Sequence, residues 1–309
     1  MPSPAFPTEK RSPRAGSAEG MTRIAGGAFR MGDEGPDCWV ADGEGPAREV
    51  TLSPYWMDRT CVTNAQFAEF VEDTGYVTEA ERFGWSFVFF NQIPKARRKT
   101  ARFATVLGLD WWARVEKADW RKPGGPGTNI RKKMDHPVVH VSWADAAACA
   151  AWAGKRLPTE AEWECAARGG LEGAKYAWGD ELTPGGRHFC NIWQGRFPDL
   201  DTAEDGYAGT APARSFRANG FGLYNVAGNV WEWCADWFSR DWHLTAGRTD
   251  PRGPEDGTAR VIRGGSFLCH KSYCNRYRVA ARTSNTPDST TCHQGFRCAR
   301  DDDSTGLGR

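Results

Sequence analysis

Two cysteines near the end of the chain are spaced so that they could do chemistry together. The stretch "SFLCHKSYCNRYR", from Ser266 to Arg278, sets Cys269 and Cys274 five residues apart among aromatics and cations. A straight strand would send the two side chains to opposite faces. A helix, at 3.6 residues per turn, would set them about 140° apart. Convergence therefore requires "HKSY" to form a turn, and the preceding "RGGS" supplies glycines for tight backbone geometry. Four chemistries are open to such a pair. A zinc half-site needs two further ligands, and no second matching pair is present. A local disulfide is geometrically possible. Two unrelated buried thiols would be mere packing. Two thiolates would clamp Cu(I), a soft ion. His270, Lys271, Arg276 and Arg278 stand nearby in sequence and would favour thiolates.

The elements that must carry this turn are sparse. "GGAFRMGDE" reads as a short strand and turn, and "VTLSPYWMDRTCVT" alternates like a strand. Thr63 caps "NAQFAEFVEDTG", with Phe67, Phe70 and Val71 on one helical face and Gly75 as the stop. Residues 91–135, with "RKPGGPGTN", read mostly as loop. "VVHVS" predicts a strand. Ser142 with Asp145 forms a capping-box pattern for an Ala-rich helix ending near Gly154, and Thr159 with Glu162 starts a second helix ending at Gly169–Gly170. From 171 to 300 turn residues recur every few positions, and almost nothing reads as helix. No fixed-period repeat and no internal domain boundary is evident between 21 and 300.

Composition agrees with a loop-rich fold. The chain has 309 residues with 35 glycines and 15 tryptophans, a mixture suited to turns pinned by large aromatics. Hydrophobic content of 40% supports a core, and a net charge of +1 gives no general attraction to nucleic acid or membrane. The basic runs "KARRK" at 95–99 and "RKK" at 131–133 read as solvated loops. No apolar run is long enough to span a bilayer. Residues 1–20, Pro/Ser-rich and charged, and 301–309 read as disordered tails. The first twenty residues lack an apolar signal core, which points to a cytoplasmic protein. There the ten cysteines favour metal or catalytic roles over a disulfide framework.

Several motifs then converge. "RLPTEAEWECAARGG", "YAWGDE", "NIWQGRFP", "EDGYAGTAP", "NGFGLYNVAGNVWEWCADW", "RVIRGGSFLCHKSYCNRYR", "NTPDS" and "GFRCAR" resemble the formylglycine-generating enzyme family over roughly residues 22–300, including the irregular "DWWARVEKADWRKPGGPGTN". The resemblance implies an α+β fold of low secondary-structure content in one domain, a variant of the C-type lectin fold. It implies oxidation of the cysteine of a C-x-P-x-R segment in a sulfatase, unfolded or nascent, to Cα-formylglycine, with O2 and a thiol reductant. It implies Cu(I) held by Cys269 and Cys274, the pair that marks the aldehyde-generating branch. Ser266, Tyr273, Trp231 and His293 match pocket positions, His293 standing where the family has asparagine. Structural Ca2+ is also implied, held by Asn191, Ile192, Asp205 and Tyr207 in one site and by Asn225, Gly228, Val230 and Glu232 in a second. Backbone carbonyls would serve where the side chain has no oxygen. Secreted members join the cysteine of "GFRC" to a position that here is Val279, so Cys298 has no such partner.

Three other readings fit the same domain, one of them a purely structural or ligand-binding lectin-like domain. A non-catalytic peptide-binding paralogue would lack the cysteine pair. An iron oxidase of the sulfoxide-synthase type would need a facial set of histidines, whereas "HPVVH" is the only close histidine pair in the sequence.

Overall fold

A computed structural model of the chain describes residues 10–100, 104–106 and 109–302. Helices begin where side chains can satisfy the free amides of a first turn. Thr63 and Gln66 form a reciprocal capping box on Asn64–Thr74. The same device starts Glu79–Phe83 from Thr78, Trp143–Trp152 from Ser142 and Glu160–Arg168 from Thr159. Gly75, Gly84 and Gly169 close three of these helices in the left-handed conformation, which costs glycine little.

Short sheets fill the space between the helices. Met21–Ile24, Tyr55–Asp58 and Ala299–Asp301 form one antiparallel sheet, with Tyr55–Asp58 in the centre. Gly27–Met31 pairs with Arg48–Leu52. Trp85–Phe89, Leu109–Glu116 and Ala104–Val106 form a second three-stranded sheet. The fourth has the order Arg282–Asn285, Arg260–Arg263, Trp231–Trp237, Gln294–Gly295, and only its last pairing is parallel. Gly295 must be glycine, because a Cβ there would stand 2.5 Å from the Val138 carbonyl oxygen.

Three sequence expectations need correction. "VVHVS" is extended but not a strand. It is tied by single bonds, Val138 to Val62 and His140 to Thr291, and His140 breaks it with φ 62°. The loop expected over 91–135 contains the helix Lys95–Thr100 and the strand Leu109–Glu116. The strand pairs with Trp85–Phe89, a distant partner that no local pattern announces. The tails are shorter than expected. Ser12 donates to the Trp152 carbonyl at 2.9 Å, so residues near it lie on the end of the Trp143–Trp152 helix. Asp301 ends a strand and Asp302 is buried against Arg23. The remaining tail residues, 1–9 and 303–309, lie outside the described residues.

The helix Glu160–Arg168 is buried along its whole length, charges included. Glu160 bonds Arg282 at 2.6 and 2.7 Å and Arg263 at 3.0 Å. Glu164 takes Arg263 at 2.5 Å, Arg168 at 2.7 Å and the Gly32 amide at 2.7 Å. Burial works to raise the Glu164 carboxyl, but Arg168 and Arg263 overcome it and hold it at about 2. Trp163 donates to Glu232 at 2.7 Å, and Glu232 grips Arg297 at 2.6 and 2.7 Å. Arg297 and Glu232 are each 1% exposed, so removing one strands the other without water. Arg297→Met should therefore cost about 3–5 kcal/mol, read as a lower midpoint in chemical denaturation.

Candidate active site

The turn required by the cysteine spacing is present. The His270 carbonyl accepts from the amides of Tyr273 at 3.0 Å, Cys274 at 3.0 Å and Asn275 at 3.2 Å. This folds the chain back within four residues, and Cys269 and Cys274 share a side-chain hydrogen bond. Before the turn, Ser266 accepts from the Cys269 amide at 2.9 Å, and its own amide donates to the Cys269 sulfur at 3.4 Å. Gly265, at φ 73°, admits the close approach of the Arg276 carbonyl. All ten cysteines are free thiols.

The thiols sit in a cavity of about 370 Å³. Phe89, Trp111, Trp112, Phe197 and Trp231 line its apolar walls, and Ser266, Tyr273, His293 and Asn285 bring polar atoms. Tyr273 stacks on Phe197 with ring centres 4.6 Å apart and meets Trp111 edge-on at 5.5 Å. Every pocket residue expected from the sequence is here. The aromatic wall from the Trp85–Phe89 and Leu109–Glu116 strands is not legible in sequence, and its only signal is the clustering of Trp111 and Trp112 in a charged segment.

Burial opposes a thiolate at both cysteines. Cys269 is raised by burial and by its bond to Cys274. At Cys274 burial is outweighed by the hydrogen bond from Cys269, the backbone donors of the turn and Arg276, and the thiol is lowered. Of the four cations adjoining the pair in sequence, only Arg276 lines the cavity. It is held by Asp42 at 2.6 Å and lies over the Trp39 ring. Arg278 turns away into a bidentate pair with Glu44 at 2.7 and 2.8 Å. His270 bonds Ser272 at 2.8 Å, and Lys271 is exposed.

His293 is buried, its Nδ1 2.7 Å from the Thr291 hydroxyl and its ring against Trp112 at 4.8 Å. Burial, with His140 nearby, pushes it down to about 3. His140 is held by Ser86 at 2.6 Å and the Pro123 carbonyl at 2.8 Å and lies at about 4, lowered by burial. His136 bonds Thr210 at 3.0 Å instead, so "HPVVH" does not form a metal pair. Among the described residues no group of three or more His, Cys, Asp or Glu is arranged to hold a metal. The soft donors in the cavity are the two thiols, which suit a soft ion of low coordination number.

The calcium residues divide. Asn191 and Asn225 each have a buried side-chain oxygen with no hydrogen-bond partner, which suits a hard cation. Asp205 accepts from the amides of Ile192 at 3.0 Å and Tyr207 at 2.9 Å, which gathers the first set of residues. Burial raises its carboxyl, as expected of an acid without its counter-charge. The second set loses its only acid. Glu232 is committed to Arg297 and Trp163, which leaves that set neutral oxygens alone.

Residues 5–302 match the family described as the sulfatase-modifying factor enzyme 1-like domain, and the chain belongs to that family. It is 64% identical over 304 residues to a formylglycine-generating enzyme of Thermomonospora curvata, covering 97% of this chain and 99% of the relative. It is 58% identical to one of Streptomyces coelicolor, covering 98% and 96%. The fold also resembles PvdO from Pseudomonas aeruginosa, with TM-score 0.65 and 23% identity over 91% of this chain and 94% of that one.

Two outcomes follow from this geometry. His140 and His293, with values of about 4 and about 3, should keep neutral imidazoles from pH 8 down to about 5, whereas a solvated histidine titrates near 6.5. Side-chain nitrogen chemical shifts that stay flat over that range are the expected result. Calcium in hundredfold excess over its dissociation constant should stabilise the fold by about 2.7 kcal/mol. A chelator should reverse the rise in melting temperature, and Asp205→Asn should remove it.

Proposed function

We propose that this chain converts the cysteine of a C-x-P-x-R segment in a sulfatase to Cα-formylglycine, using O2 and a thiol reductant, with Cys269 and Cys274 holding Cu(I). The observation that carries the proposal is the hydrogen-bonded thiol pair in an aromatic cavity, in a chain 64% identical to a protein named for this reaction. Bound copper would supply the electron transfer to oxygen, and the protein supplies geometry and exclusion of water.

The overall change balances as a peptidyl CH2SH plus O2, two electrons and two protons giving the aldehyde, hydrogen sulfide and water. The reductant supplies the two electrons, and two more leave the substrate carbon as its C–H bond breaks. The chain's own contributions are local. Trp231, Trp112 and Phe89 present an apolar wall that keeps bulk water from the substrate side chain. The Ser266 oxygen accepts from the Leu268 amide at 3.3 Å, leaving its hydroxyl proton free to donate into the cavity. Tyr273 offers a second hydroxyl, with its ring fixed by Phe197. His293 acts as a neutral imidazole oriented by Thr291. Arg276, anchored by Asp42, offsets the negative charge that gathers when the substrate thiolate joins two others.

The experiment is incubation of a C-x-P-x-R peptide with the copper-loaded protein, followed by mass spectrometry for the aldehyde. Cys269→Ser and Cys274→Ser should each abolish conversion while leaving the melting temperature within a few degrees of the parent. Either variant retaining near-parental turnover rejects the clamp. Protons compete with the metal for thiolates, so Cu(I) affinity should fall as the pH drops below neutral. A competition titration in which affinity is independent of pH would rule out thiolate ligands.

A further inference from the structure

A second cavity of about 270 Å³ lies behind the wall of the reactive pocket. The two cavities share the same backbone. Phe267 and Cys292 line the rear cavity, while their neighbours Ser266, Leu268, Thr291 and His293 line the front one. These residues lie in turns whose side chains reach both cavities, so one thin wall serves both spaces.

The rear cavity is chemically built. Asn64 is 3% exposed. Its Nδ2 donates to the Lys133 carbonyl at 2.8 Å, and its Oδ1 is buried with no hydrogen-bond partner. An unpaired acceptor of this kind is costly unless something donates to it. On the same lining stands Lys133. It is half-buried, and among the described residues its ammonium has no carboxylate within ion-pair distance. A half-buried cation without a partner is the complement of an anion. Thr128, Asn129 and Thr210 add hydroxyl and amide groups to the rim. None of these residues belongs to the thiol pocket or to the calcium sets.

We propose that this rear cavity is a binding site for a small carboxylate that also carries an N–H or O–H donor, its carboxylate on Lys133 and its donor on Asn64 Oδ1. The volume is of the order of an amino acid or an acylated amino acid, well below a peptide strand. The inference does not depend on the oxidation reaction, because it rests on residues that do not face the thiols.

The test uses N-acetylglycine as the probe on the full chain, followed by amide chemical shifts. Saturable shifts centred on residues 64, 128–133, 210 and 292 are expected, without comparable shifts at 269–274. N-acetylglycinamide, which lacks the charge, and acetate, which lacks the donor, should each bind at least roughly tenfold more weakly, a difference of about 1.4 kcal/mol. Lys133→Met should weaken N-acetylglycine to the same degree and Lys133→Arg should retain it. No saturation at millimolar concentrations, equal binding of the uncharged amide, or unchanged affinity in Lys133→Met would each overturn the site. The assay reads binding rather than turnover, so its failure is distinct from failure of the peptide conversion.

Discussion

The buried acids of the helix Glu160–Arg168 hold this loop-rich molecule together. Glu160 reaches Arg263 and Arg282, Glu164 reaches Arg263 and the Gly32 amide, and Trp163 passes through Glu232 to Arg297. Those arginines lie on or beside the strands and turns that frame the cavity. A buried carboxylate with no partner would be strongly unfavourable, and so would a buried guanidinium. Each loop is therefore held in the one arrangement that pairs them all. A fold with few long ladders gains specificity from directional bonds of this kind.

The thiol pair inherits that rigidity. Arg263 anchors the end of the strand Arg260–Arg263, from which Gly264, Gly265 and Ser266 lead into the turn at His270. On the far side Arg278 is pinned by Glu44, and Arg276 by Asp42. The turn is thus fixed at both ends by ion pairs to sequence-distant acids, and the two sulfurs meet with little freedom left to lose. The same loop around residues 39–44 decides which cation faces the thiols. Arg276 is drawn over Trp39 toward the cavity and Arg278 is drawn away.

The two cavities illustrate how a thin wall can carry two environments. On one side the side chains are aromatic and sulfur-bearing. On the other, Asn64, Thr128, Lys133 and Thr210 are among the lining residues, and the Asn64 Oδ1 is buried without a hydrogen-bond partner. The residues between them are the turns that contain Phe267 and Cys292, so the geometry of the front pocket and the rear one are set together.

Local physics made part of this legible in sequence. The four capping boxes depend on residues three apart, and the left-handed glycines stop helices within the same turn, so Thr63, Ser142, Thr159, Gly75 and Gly169 could be read directly. The cysteine spacing excluded helix and strand by geometry alone and so required a turn. Non-local pairing was not readable. The strand at Leu109–Glu116 exists because Trp85–Phe89 lies beside it, and "VVHVS" fails as a strand because His140 turns toward Ser86 and Pro123. The family resemblance implied Glu232 as a cation ligand, and Arg297 bonds it from 65 residues away. The sequence by itself determined the local caps, the glycine stops and the need for a turn between the two thiols. The tertiary structure decided which charges are buried together, because burial makes a charge choose its partner and nothing in the local pattern names that partner.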